Sequence, residues 1–183
     1  MCPGSITMER SVLEIHLKNL LVEKKAVIVK QWFDAVVETY PVDASGFLKN
    51  HAAQFTNPVG YTFAQGIEGL YDSLLDGLMP DRVSAFLDGI VRIRAVQDFA
   101  PSQAVSFIFL LKNVVREELK NVLRENRLFD ELAAFDSAID DLALFAFDIY
   151  MKCRETIYDI KAREARNATF RLLQKAKLIG ENE

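Results

Sequence analysis

Cysteine is nearly missing from this sequence. It has two, Cys2 and Cys153, too far apart for a disulfide framework or a metal-ligand cluster. That usage suits a reducing compartment, and a cytoplasmic location is expected. Histidine is as scarce: His16 and His51 have no carboxylate or cysteine at a ligand spacing. Neither lies on the apolar helices that begin at Pro58, so haem ligation lacks its residue and no cofactor is expected. Eight Gly and five Pro exclude a turn-rich fold. No apolar run approaches the roughly 20 residues that span a bilayer. The opening Met-Cys-Pro-Gly-Ser-Ile-Thr has neither the basic nor the apolar part of a signal peptide, and residues 1–10 are expected to be a disordered lead-in. Basic charge is short as well. The net is −4, and residues 152–183 carry eight Lys/Arg against five Asp/Glu, which leaves −7 on residues 1–151. An acidic body argues against nucleic acid as a partner.

What is present is helical periodicity. Half of the 183 residues are hydrophobic and thirteen are Phe, enough for one domain with a real core. Residues 11–40 carry two apolar faces, Leu13-Leu17-Leu20-Leu21 and Val27-Ile28-Trp32-Phe33-Val36-Val37. They read as one bent helix or as two with a break near Glu23, and Pro41 ends them. A short helix capped by Asp43 is expected to run to Asn50, with a loop from His51 to Asn57. Asn57-Pro58 then opens a helix carrying Phe63, Ile67, Leu70, Tyr71 and Leu74. Gly60, Gly66 and Gly69 inside it point to close helix–helix contact, and Gly60, near the N-terminus, could also admit a ligand. A further helix runs from Asp81 to about Asp98. Pro101 opens another, apolar nearly all round at its start, expected to be the most buried and to end near Asn126.

The last pattern is the longest. Leu128, Leu132, Phe135, Ile139, Leu142, Ala146, Ile149, Cys153, Thr156 and Ile160 follow in strict four-three alternation, with no Gly or Pro before Ile179. That predicts one helix outrunning the domain, with a coiled-coil-compatible seam. Leu128, Leu132, Phe135, Ile139, Leu142, Ile149 and Ile160 are the expected dimer or relay residues, and a homodimer is expected. The fold class is all-α: a single helical bundle over 11–151, with residues 152–183 extending its last helix.

Catalytic constellations are weak. Asp136 and Asp140 share a helix face and could hold a divalent ion, which leaves a metal-dependent enzyme as a minor alternative. Without a Glu-x-x-His pair the residues Asp130, Glu131, Asp136, Asp140 and Asp141 read better as a solvated acidic face. No catalytic residue and no metal ligand is assigned. The aromatics Phe107, Phe109, Phe129, Phe135, Phe145, Phe147 and Tyr150 could line a pocket for an apolar ligand, but at helical spacing they read better as core. Arg94 and Gln97 follow Leu87 and Ile90 on nearly one side of a helix, where a guanidinium must be paired or hydrogen-bonded. The structural reading pairs Arg94 with Asp98 or closes it over the Phe99-Ala100-Pro101 turn. The functional reading makes it a pocket wall for an anionic or carbonyl-bearing ligand. Ser102 and Gln103 sit at the next helix start, as anion-binding residues or as a cap. The basic helix after Lys152 reads as a partner-contacting or dimeric extension rather than a membrane binder.

Several segments together resemble a known family. Glu23-Lys24-Lys25 is followed by Ile28-Val29-Lys30-Gln31-Trp32, Tyr40-Pro41, Phe55-Thr56-Asn57-Pro58-Val59-Gly60 and Ile93-Arg94-Ala95-Val96-Gln97-Asp98-Phe99-Ala100-Pro101-Ser102-Gln103-Ala104. This set resembles the RsbRD N-terminal domain family over roughly residues 12–150. The resemblance implies a bacterial, cytoplasmic, non-enzymatic sensory module of stress signalling, with a haem-free globin-like fold that dimerises through its helices. Family members often continue into a STAS or kinase output domain. This sequence runs only to Glu183, so a stand-alone regulator is expected. The functional expectation is a sensory or regulatory module that binds a regulatory protein partner or small ligand near Asn57, Gly60, Arg94, Gln97, Ser102 and Gln103, and relays it through the long helix. The alternative is a scaffold subunit with no small-molecule ligand.

Overall fold

The computed structural model describes residues 17–40, 46, 57–97 and 99–176. The lead-in, the helix expected from Asp43 apart from Gly46, the His51 loop up to Asn57, His16 and Asp98 lie outside them. The described chain is helical throughout, with no strand among the described residues. Residues 17–23 form a first helical stretch, and a turn at Lys24 separates it from α1 (Lys25–Val37). The chain thus has two helices here, broken beside Glu23. Lys24 sits at φ −90°, ψ 4°, and its carbonyl accepts from both Val27 and Ile28. The Tyr71 hydroxyl donates to the Leu21 carbonyl beside the break.

After α1 come α2 (Pro58–Asp76), α3 (Pro80–Val96), α4 (Pro101–Glu118), α5 (Lys120–Asn126) and α6 (Phe129–Lys175). Three of them begin on proline, which loses no needed N–H at the first helical position. Between α4 and α5 the helix is interrupted at Leu119 (φ −101°, ψ 7°), a break the sequence did not announce. The expected stop at Asn126 holds, because Arg127 takes the left-handed conformation at φ 55°.

The helices close a ring. α6 packs along α3 and α4, α3 along α2, α2 along α1, and α1 back along α4. Between them lies one continuous core, with Trp32, Phe63, Tyr71, Leu87, Phe107, Ile139 and Tyr150 among its largest members. The Trp32 indole N–H, which could not be buried unpaired, donates to the Phe107 carbonyl at 2.7 Å. Its ring stacks on that of Phe107.

Two expectations change. α4 is not the most buried element: Pro101, Ser102, Gln103 and Phe109 are exposed, while α2 contributes the longer list of buried residues. α2 sits between α1 and α3 and so has two faces to cover. The acidic face of α6 is not simply solvated either. Asp136 pairs with Arg116 and Asp140 with Lys112 (2.6 Å), both across to α4. Glu131 is buried and accepts the Leu17 backbone N–H at 2.9 Å, which ties the start of α6 to the first helical stretch.

The helix glycines do what close packing asks of them. A Cβ on Gly66 would lie 2.9 Å from the Ile90 side chain, and one on Gly69 would meet the Phe86 ring. Gly66→Ala should therefore destabilise the protein by about 1–2 kcal/mol in urea unfolding, although alanine is the better helix former by up to ~1 kcal/mol. A more stable variant would mean that α2 and α3 do not meet there.

Candidate functional site

α3 ends at Val96, and α4 begins at Pro101. Just before that turn, Arg94 is fully buried. Its place in the last turn of α3 offers some compensation from the partly negative helix end. The rest comes from neighbours. Nη1 donates to the Gln103 carbonyl and Nη2 to the Thr39 hydroxyl, each at 2.9 Å. Thr39 can accept because its own proton goes to the Val36 carbonyl at 2.6 Å. Around the guanidinium stand the rings of Tyr40, Phe99, Phe107 and Phe63, with centroids 4.9, 5.1, 5.1 and 6.0 Å from Cζ. No ion pair to Arg94 occurs among the described residues. Burial lowers its pKa, and the neighbouring Tyr40 works in the opposite direction. The Tyr40 phenol is pushed up by burial and held back by the Arg94 charge. Arg94 Nε and the Tyr40 hydroxyl meet no partner of good hydrogen-bond geometry, yet Tyr40 and the guanidinium lie close enough to act on each other as a weak hydrogen-bonding pair.

The same turn is held from its far side by α6. The Tyr150 hydroxyl donates to the Phe99 carbonyl at 2.6 Å, and Arg154 Nη1 donates to the Ala95 carbonyl at 3.2 Å. Arg154 also lies over the Tyr158 ring and donates to its hydroxyl. From residue 155 onward almost every position of α6 is exposed, so this clamp sits where the helix leaves the body.

The residues singled out in the sequence separate into groups. Arg94 and the backbone of Gln103 meet, with Arg94 closing over the turn as its structural reading had it. Gln97 does not join them. It is exposed at the end of α3, three residues on but already in the unwinding turn. Asn57 is buried and caps α2 by accepting the Gly60 N–H at 2.8 Å, so that N–H is already used. The Gln103 side chain reaches back to the Ala100 N–H at 3.1 Å as a cap, and Ser102 is exposed. Of the seam residues, Leu128, Leu132, Phe135, Ile139 and Leu142 lie in the chain's own core. Ile149 packs against that core, and Ile160 is exposed. The first half of the seam is thus an internal stripe, which leaves only its second half for a second copy. Asp136 and Asp140, the pair considered for a metal, are engaged by Arg116 and Lys112. Among the described residues no His, Cys, Asp and Glu cluster could hold an ion.

The sequence reading missed Thr39 and Arg154, and it placed Tyr150 in the core and Tyr40 in the family pattern without their roles at this turn. Tyr150 and Arg154 carried a usable signal: they stand four apart on one helix face, and a buried tyrosine needs an acceptor. Thr39 carried none. Thr39→Val, which keeps the shape and removes the acceptor, should lower stability by about 2 kcal/mol, the scale of a hydrogen bond to a charged group. An unchanged urea midpoint would show that the Thr39 contact contributes nothing.

Comparison with known proteins bears on what such an arrangement is for. The model of the RsbT co-antagonist protein rsbRD N-terminal domain matches residues 26–165. An uncharacterised protein of Archaeoglobus fulgidus is 27% identical over 142 residues, 75% of this chain and 82% of that protein. No solved structure matches the chain. Among the described residues no helix is long and apolar enough to cross a membrane. The matched span takes in α1 to α5, the buried arginine and most of α6, and so the chain belongs to the family of RsbT co-antagonist rsbRD N-terminal domains, regulatory sensory domains of stress signalling.

Proposed function

We propose that the turn between α3 and α4 is the sensing point of this domain and that α6 relays its state to a partner. The observation that carries the reading is the double grip on the turn. Arg94 holds it from inside through Phe99 and Gln103, and Tyr150 and Arg154 hold it from α6. A ligand or partner that displaces either grip would move the turn against the other, because packed cores settle into discrete arrangements rather than deforming smoothly. The exposed end of α6 would then carry the change outward. Such a relay needs differential binding to two packings of the bundle, which is the physical content of a sensory module.

A second reading, an interaction subunit that needs no small molecule, draws on the outer face of the same helix. A groove of about 780 Å³ runs between α3 and α6, lined by Val96, Ile149, Ile157 and Ile160 together with the charged Asp88, Arg92 and Lys152. Tyr158, Phe170 and Leu172 beyond it are exposed. On this reading the distal half of α6 is the dimer or partner contact.

Two measurements test these readings. Thr39→Val loosens Arg94 from the inner side, and under the relay reading it raises amide exchange of residues 150–165 several-fold. In a Tyr150→Phe background that effect should largely disappear, the non-additivity expected of coupled residues. Exchange beyond residue 150 that ignores Thr39→Val would sink the relay. For self-association, light scattering at micromolar concentration should give twice the chain mass, and Ile160→Asp should return it to a monomer. A wild-type monomer would remove α6 as a dimer contact.

A further inference from the structure

Among the described residues Glu131 is the one buried acidic side chain, 6% exposed at the start of α6. Its place in the first turn, at the partly positive helix end, favours a negative charge. Oε2 accepts the Leu17 backbone N–H at 2.9 Å, while the buried Oε1 has no partner. No salt bridge reaches Glu131 among the described residues. Beside it lies a pocket of about 180 Å³ between the first helical stretch, α2 and α6, and Glu131 is part of its wall. Leu21, Leu74, Leu75, Phe135 and Ala138 supply much of the remaining wall, and the one other charged lining residue is Lys18, which is exposed. A water at Oε1 would need about two to four polar partners, and these apolar side chains offer it no second one.

We propose that this pocket binds a small primary ammonium compound with an apolar tail, its ammonium group set on Glu131 Oε1. An ammonium brings N–H donors and one positive charge, which answers an oxygen without a donor on a carboxylate without a counter-ion. The apolar wall takes the tail. A cavity of about 150 Å³ lined by apolar side chains holds a benzene ring. At about 180 Å³ this pocket therefore suits a tail the size of a ring or a short branched chain. A bare metal cation would find a single carboxylate here, and among the described residues no cluster of His, Cys, Asp and Glu could hold one. The site lies apart from the Arg94 turn and stands whether or not that turn is the sensing point. An ammonium on Oε1 engages the same carboxylate that joins α6 to the first helical stretch, and so it tightens the base of the long helix.

Benzylamine and isoamylamine are titrated into the full chain at constant ionic strength, followed by the amide NMR shifts of Leu17 and Glu131 and by thermal unfolding. Benzyl alcohol, which has the shape without the charge, and ammonium chloride, which has the charge without the tail, are the controls. Saturable shifts with both amines and none with either control are expected. Glu131→Gln keeps an acceptor for the Leu17 N–H and removes the charge, so it should weaken benzylamine binding about tenfold, the scale of a hydrogen bond to a charged group. Ala134→Leu narrows the pocket from an exposed position and leaves Glu131 in place, so it should fold and weaken binding by a similar factor. Should Glu131→Gln fail to fold by circular dichroism, Ala134→Leu decides, and undiminished binding there overturns the site. No saturable shift in the wild type, as when Lys18 folds in to meet Oε1, would overturn it too. So would an equal response to benzyl alcohol, or unchanged affinity in a helical Glu131→Gln, leaving Glu131 as a cap for the first helical stretch only.

Discussion

A guanidinium taken fully out of water needs partners, and Arg94 gathers them from the ends of several elements. Arg94 draws in the last residues of the α1 region through Thr39 and Tyr40, α2 through Phe63, the turn through Phe99, and α4 through Gln103 and Phe107. An apolar residue there would bury equally well and would specify none of these positions. A fork of N–H donors accepts only a narrow set of acceptor placements, and so the charge specifies how the ends of the elements meet. Buried polar groups are retained for specificity in some proteins at a cost in stability, and the unmet Nε is consistent with that cost being incurred here.

The rest of the fold surrounds that point in two ways. Close approach of α2 and α3 at Gly66, Gly69 and Gly89 lets Phe86, Ile90 and Thr62 fill the space beside the glycine backbones, and so brings α3 against its neighbour along its length. On the other side α6 is anchored at its start by buried Glu131 and along its middle by Ile139, Leu142 and Ala146. Its last buried side chain, Tyr150, ends on the turn that Arg94 closes. The helix therefore leaves the body with its base fixed to the turn that the buried Arg94 closes. That coincidence, more than any single contact, is why a sensory reading suits the geometry.

Much of the architecture could be read from the sequence because it depends on local rules. Proline at the first position of α2 and α4, the Asn57 cap, and an uninterrupted four-three pattern without Gly or Pro each act within a few residues. Periodicity showed which face of α6 is apolar but not what covers it. The same pattern serves a dimer seam and an internal stripe, and here Leu128 to Leu142 lie in the chain's own core. Gln97 illustrates a different loss: it keeps helical phase with Arg94 in the sequence, yet the helix unwinds before the phase can matter.

The sequence by itself determined the class of structure, the starts of α2 and α4, the long final helix, and that Arg94 would need partners. Those follow from backbone propensity and from the free energy of burying charge, which need no knowledge of neighbours. Only the tertiary structure decided which partners. Thr39 lies 55 residues from Arg94, Tyr150 lies 51 from Phe99, and Glu131 lies 114 from Leu17. Contacts at such separations depend on how whole helices pack, and side-chain hydrogen bonds between elements leave no periodic trace in a single sequence.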